Sequence, residues 1–113
     1  MSWPPYVHVW TDGACRGNPG AGATGVVVRS ATAPDGKTYA PRGRGRGLAR
    51  FGSRLGRCTN NEAEYEALLG AVNELLIVYA HAHAQRSRLR EVKIHSDSQL
   101  VVRQVRGQVR ARA

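Results

Sequence analysis

Acid is what this chain lacks most: eight Asp and Glu stand against 17 Lys and Arg, a formal net charge of +9 over 113 residues. Lysine is nearly absent too, since only Lys37 and Lys93 occur and arginine carries the rest. Arginine presents a planar fork suited to phosphate, so a pI near 10.8 makes a polyanionic partner the leading expectation. A GC-rich coding sequence favouring Arg would give the same imbalance with no binding role. Large apolar side chains are also scarce. Leu, Ile, Val and Phe number 23, about a fifth of the chain, which borders on the composition of disordered proteins. They are clustered, however, which predicts a folded part and a loose part. Two cysteines, Cys15 and Cys58, exclude a thiolate metal cluster and a disulfide framework and fit a reducing compartment. The longest apolar run, Leu75 to Ala80, is far too short to span a membrane. The amino terminus lacks the basic and apolar regions of a secretory leader. A cytoplasmic protein with no membrane partner is expected.

What is present begins with a near-repeat. Val7-His8-Val9-Trp10-Thr11-Asp12 and Val92-Lys93-Ile94-His95-Ser96-Asp97 each alternate apolar and polar residues, then end on a small hydroxyl residue and an aspartate. Alternation of this kind marks a half-buried strand, and Gly13 or Ser98 breaks each pattern, so both acids fall at strand ends. If the strands are parallel neighbours, about 4.8 Å apart, the two carboxylates can share one divalent cation.

At this length the chain forms a single domain. After Asp12 the run from Gly13 to Gly20 is dense in turn residues, Val26 to Val28 reads as a buried strand, and Pro34-Asp35-Gly36 as a turn. From Pro41 to Arg57 there are six arginines and five glycines, which predicts an Arg/Gly-rich loop or irregular hairpin, with a short strand near Phe51 to Leu55. Thr59-Asn60-Asn61-Glu62 has the form of a capping box and opens a helix running to about Ala84. Tyr65, Leu68, Leu69, Val72, Leu75, Leu76 and Tyr79 recur at helical spacing as its apolar stripe. Beyond Asp97, Leu100, Val101, Gln104, Val105 and Gln108 begin another helical pattern, interrupted by Gly107.

Three familiar patterns fail on context. Gly20-Ala21-Gly22-Ala23-Thr24-Gly25 satisfies G-x-G-x-x-G, but the fingerprint must open a helix and precede an acid by about 20 residues; here β-branched Val26 to Val28 follow. His81 and His83 are two apart on a helix and cannot chelate as an i, i+4 pair would. No serine or cysteine nucleophile has a partner histidine in a local signature, and Cys15 reads as a small packing residue.

The few acids are better placed. Asp12, Asp97 and the Glu62, Glu64, Glu66 group lie at strand ends and in the first turns of the helix. Each has an ordinary explanation when taken singly, in the helix dipole or in turn formation. Glu62 and Glu64 both flank the apolar stripe, and periodicity does not choose between them.

Thr11-Asp12-Gly13-Ala14-Cys15-Arg16-Gly17-Asn18-Pro19-Gly20 resembles the first motif of type I ribonuclease H. Thr59-Asn60-Asn61-Glu62-Ala63-Glu64-Tyr65 is similar to its helix motif, and Ser96-Asp97-Ser98-Gln99-Leu100-Val101-Val102 to its third. The resemblance implies a ribonuclease H-like α/β fold: three antiparallel strands, a helix, then a fourth strand parallel to the first. It implies that Asp12, Glu64 and Asp97 are metal-binding catalytic carboxylates, selecting Glu64 over Glu62. It further implies Mg²⁺, with Mn²⁺ as a substitute, and cleavage of the RNA strand of an RNA/DNA hybrid. Gly13, Ala14, Cys15, Asn18, Asn60, Asn61 and Gln99 match positions that contact the hybrid. Members of the family continue with a further strand, a histidine-bearing loop and a last helix carrying a fourth carboxylate. No acid follows Asp97 here, so the expectation is a C-terminally truncated domain spanning 1–113, or one completed by another chain. Two other readings stand beside the nuclease: a non-catalytic RNA- or hybrid-binding module, and a fragment that folds poorly. Oligomeric state is not legible.

Overall fold

The computed structural model describes residues 3–40, 45–82 and 89–96, without the side chains of 81 and 82. Four strands and one helix follow in the order β1 (Tyr6–Cys15), β2 (Gly20–Ser30), β3 (Gly47–Cys58), α1 (Asn60–Ala82) and β4 (Glu91–Ser96). They form a mixed sheet in the order β3-β2-β1-β4. β1 is antiparallel to β2, β2 is antiparallel to β3, and β4 is parallel to β1. This is the ribonuclease H-like arrangement that the motifs imply.

Position along β1 decides which side of the sheet a residue occupies. Val7, Val9, Thr11 and Gly13 are buried on the helix side, and their register partners Val28 and Val26 continue that face into β2. The core is built from small side chains: Val7, Val9, Val26 and Val28 are at most 2 % exposed, and Ala63, Ala67, Ala71 and Leu75 present the covered face of α1. Burying a valine side chain contributes about 1.5–3 kcal/mol, so these four outweigh any exposed contact in the molecule. Alanines in α1 and glycine in β1 also let the helix lie very close to the sheet.

Several expectations are corrected here. Within the Arg/Gly-rich stretch 41–57, the short strand expected near Phe51 to Leu55 is longer, Gly47–Cys58 (β3), and pairs antiparallel with β2 through bulges between Ala21/Gly22 and Val28/Arg29. Residues 41–44 lie outside the described ones. The turn-rich run Gly13 to Gly20 is shorter than expected, because Gly13 to Cys15 continue β1 and Gly20 already begins β2; the Gly20–Gly25 run is thus the first half of β2 and opens no helix. The apolar stripe of α1 is displaced. Leu69, Val72 and Leu76 are 58 %, 38 % and 65 % exposed, because the alanine row at 63, 67 and 71 is the face narrow enough to approach the sheet. His81 is in α1 but its side chain is not described; His83 lies outside the described residues.

Candidate active site

Asp12 is at a place where the pairing of β1 changes. Parallel pairing with β4 ends at Thr11↔Ser96, while antiparallel pairing with β2 continues through Asp12↔Gly25 to Cys15↔Gly22. Asp12 is therefore not at the end of its strand; it is the first residue beyond the β4 contact, and its side chain is exposed. Gly13 next to it is buried against the first turns of α1. A Cβ at Gly13 would fall 2.2 Å from the Ala63 carbonyl oxygen and 2.6 Å from the Glu64 backbone nitrogen. Only glycine permits this approach, which sets Asp12 one residue from the backbone that carries Glu64.

Glu64 is half-buried, and Ser96, the last residue of β4, donates its Oγ hydrogen to Glu64 Oε2 over a long 3.4 Å. The sheet register and the helix start thus bring together Asp12, Glu64 and the carboxyl end of β4. Asp97 and Gln99 lie outside the described residues. Thr11 Oγ1, beside Asp12, is buried with no hydrogen-bond partner among the described residues, a polar atom that ordinarily costs about 1–3 kcal/mol to leave unpaired.

The neighbouring glutamate does different work. Thr59 N donates to Glu62 Oε1 at 2.9 Å and Glu62 N donates to Thr59 Oγ1 at 3.2 Å, the reciprocal capping box. Glu62 is exposed and committed to the helix end, whereas Glu64 faces the sheet. Asn60 also has a fixed place: its backbone N donates to Asn18 Oδ1 at 3.0 Å, and its own Oδ1 accepts from Cys15 N at 3.1 Å and Cys15 Sγ at 3.1 Å. This network ties the β1–β2 turn to the helix amino terminus, so Cys15, Asn18 and Asn60 act as one unit, while Ala14 and Asn61 stay exposed. Turn geometry adds a left-handed Gly17 at φ 73° and a cis Asn18–Pro19 bond. Cys15 and Cys58 are both free thiols. Burial, with Cys15, Glu62 and Glu66 nearby, pushes the Cys58 thiol up and keeps it protonated.

As a donor set, Asp12, Glu64 and Ser96 offer oxygen alone. Mg²⁺ prefers hard oxygen ligands and binds through one or two carboxylates, with water and substrate phosphate completing its shell, so the residues fit such an ion. Among the described residues no group of three His, Cys, Asp or Glu side chains is close enough to hold a metal, so a third protein ligand would have to come from outside them. Two features were not legible in sequence: Ser96 as a hydroxyl partner of Glu64, and a ring cluster of His8, Trp10, Tyr39 and His95 on the other side of the sheet. The repeated hydroxyl–aspartate ending was the available hint of the first; aromatic residues at alternate positions hinted at the second.

Comparison with known proteins gives a consistent picture. The RNase H family model matches residues 4–112. Ribonuclease HI of Halobacterium salinarum is 37 % identical over 101 residues, covering 89 % of this chain and 40 % of that protein. Ribonuclease H of Albidiferax ferrireducens is 33 % identical over 97 residues, 86 % of this chain and 48 % of that protein. The crystal structure of LC11-RNase H1 in complex with RNA/DNA hybrid superimposes with a TM-score of 0.70 at 32 % identity, covering 95 % of this chain and 65 % of that one. For the H. salinarum RNase H1 structure the TM-score is 0.60 at 34 % identity, with 94 % and 64 % covered. The chain thus spans less than half the length of these curated relatives.

Proposed function

The chain belongs to the RNase H family, and from that premise we propose that it is an endonuclease that hydrolyses the RNA strand of RNA/DNA hybrids in a metal-dependent reaction. The observation that carries this reading is the approach of Gly13 to Ala63 and Glu64 together with the Ser96–Glu64 contact. These draw the Asp12 segment, Glu64 and the end of β4 to one point. The LC11 relative was solved with an RNA/DNA hybrid, which supports the same substrate here.

Asp12, Glu64 and Asp97 would hold Mg²⁺, or Mn²⁺ as a substitute. When bound, such an ion stabilises charge developing on the scissile phosphate and generates a nucleophile from water. The chain's own residues supply orientation. Ser96 donates to one oxygen of Glu64 and so helps to orient it, and Gly13 sets the separation between strand and helix. The Cys15–Asn18–Asn60 network ties the β1–β2 turn to the start of α1, and beside it the exposed Ala14 and Asn61 offer a polar surface for the hybrid, where backbone amides and short side chains suit 2′-hydroxyl groups. The two free thiols fit a reducing, cytoplasmic setting.

The test is cleavage of an end-labelled RNA/DNA hybrid with Mg²⁺ by the chain and by Glu64→Gln and Glu62→Gln. Losing a metal ligand removes several kcal/mol of transition-state stabilisation, so Glu64→Gln should cut the rate by more than about a hundredfold. Glu62→Gln should keep it within a few-fold. Undiminished cleavage by Glu64→Gln would remove the site assignment. Hybrid binding by the unaltered chain without any cleavage would leave only a binding module.

A further inference from the structure

The two cysteines of this sequence, Cys15 and Cys58, end β1 and β3, strands that are separated by β2 in the sheet. Gly22 of β2 lies between them. It is the register partner of Cys15, while Gly20, two residues earlier, pairs with Cys58. A Cβ on Gly22 would collide with Cys58 Sγ and would stand 3.4 Å from the Ala14 carbonyl oxygen on β1. The Cys58 side chain therefore reaches over β2 and takes the space that a side chain at position 22 would fill. Side chains directly opposite in an antiparallel pair stand about 4.5–5.5 Å apart at Cβ, so the Cys58 sulfur is roughly one such spacing from Cys15 Cβ. Gly22 puts no side chain between the two thiols.

Their surroundings differ. Cys58 is buried, and burial pushes its thiol up, with Cys15 near enough to add to the effect. Cys15 is only partly buried, and its Sγ is 2.6 Å from the Gly17 carbonyl oxygen and 3.1 Å from Asn60 Oδ1. Those contacts depend on a sulfur-bound hydrogen, which a thiol has and a disulfide sulfur lacks. Joining Cys15 to Cys58 thus takes the sulfur away from the β1–β2 turn and from the amino terminus of α1 in one step.

We propose that Cys15 and Cys58 form a reversible disulfide that couples the redox state of the surroundings to the β1–β2 turn. The oxidant is a small-molecule disulfide such as oxidised glutathione. Cys15, the more accessible thiol, loses its proton and attacks one sulfur of that disulfide, breaking it and releasing one glutathione. Cys58 loses its own proton and attacks the Cys15 sulfur, and the second glutathione leaves. Two protein thiols are oxidised, one small disulfide is reduced to two thiols, and the two protons go to the departing thiolates. Bridges of this kind in a reducing compartment are transient and report on redox state. Formation of the bridge is independent of what the chain acts on. Its effect on hybrid binding rests on the proposed function, because Cys15, Asn18 and Asn60 belong to the surface expected to meet the hybrid.

The experiment incubates the reduced chain, dilute enough to disfavour contact between copies, with oxidised glutathione, blocks remaining thiols with iodoacetamide, and reads intact mass and a peptide map. The expected product is a monomer lighter by two hydrogen atoms that takes up no iodoacetamide, with the Cys15 and Cys58 peptides joined; dithiothreitol should restore both thiols. Cys58→Ala should stop at a glutathione adduct on Cys15. A lasting adduct on Cys15 in the unaltered chain, or a bridge between two chains, would overturn the proposal. Hybrid binding by fluorescence anisotropy in EDTA gives a second readout: the bridged chain should bind roughly fivefold more weakly than the same sample after dithiothreitol. Equal affinity in the two states would overturn the coupling to the turn. A chain that bridges and is reduced as described, yet binds no hybrid in either state, would uphold the cysteine pair and refute the hybrid reading instead.

Discussion

His8 is a buried imidazole whose surroundings oppose its charge. Burial is the main cause, and His95 and Lys93 add repulsion, so its pKa is lowered from 6.5 although Glu91 pulls the other way. Arg29, its register partner on β2, and the Tyr39 hydroxyl complete its surroundings. The sign follows from linkage. The unfolded chain takes up the proton near pH 6.5 and the folded chain resists it. Stability is therefore fully present above 6.5 and is lost as pH falls from there through the lower folded value. The midpoint of thermal unfolding should hold steady above pH 6.5 and decline below it. His8→Gln, which can still bond Tyr39 but does not titrate, should flatten that decline; an equally steep fall in His8→Gln would place the acid sensitivity elsewhere. Residue-scale chemistry also separates the two candidate glutamates. Glu62 spends its carboxylate on Thr59 and Glu64 keeps company with Ser96, a distinction that spacing along a helix does not contain because both flank the same stripe.

Among the elements, α1 shows which sequence signals survive folding. Its beginning was readable, because the threonine–glutamate box is a local device whose two hydrogen bonds depend on residues three apart. Its existence was readable from period alone. Its buried face was readable only in part: Leu75 is buried and Tyr79 packs against the core as the stripe implied, but Leu69, Val72 and Leu76 are exposed, since hydrophobic periodicity ranks leucine above alanine, whereas closeness to the sheet ranks alanine first. Gly13 shows why: the strand backbone comes so near Ala63 that even one methyl group would collide with it. Tertiary fit therefore overrode the pattern in part, as it did in β3, where glycine and arginine content suggested a loop or irregular hairpin with only a short strand near Phe51 to Leu55, yet pairing with β2 extends the strand over Gly47–Cys58. The consequence is measurable. Ala67→Leu forces three added carbons against a fully buried position and should destabilise the chain by about 1–3 kcal/mol. Leu76→Gln, at 65 % exposure, should stay within about 0.5 kcal/mol of the unaltered chain. Urea unfolding of both variants checks this, and the reverse order of costs would mean that the leucine stripe is the covered one.

Over the whole molecule the charges are sorted, not mixed. α1 holds Glu62, Glu64, Glu66 and Glu74, half of all the acids, and no Lys or Arg, while β3 holds Arg50, Arg54 and Arg57 without an acid. Net charge alone gives a polyanion an affinity for the molecule; sorting decides which surface it meets. Under the proposed function, a hybrid bound through the sheet would release counterions from the phosphates that those arginines neutralise, and log affinity would then fall with log salt by roughly 0.9 for each neutralised phosphate. Replacing Arg54 and Arg57 together by Gln should reduce that slope by roughly 2. Glu74→Gln, on the acidic helix, should leave it unchanged. The measurement is hybrid binding by anisotropy across a series of KCl concentrations in EDTA, so that affinity is read without turnover. A slope insensitive to the double arginine change would show that the sheet edge at β3 does not carry the phosphates. A slope that steepens in Glu74→Gln would bring the helix surface into the path of the duplex. The +9 charge could be counted from the sequence, but its direction could not, because the pairing of β3 with β2 and the packing of α1 on β1 are what set the basic and acidic elements apart.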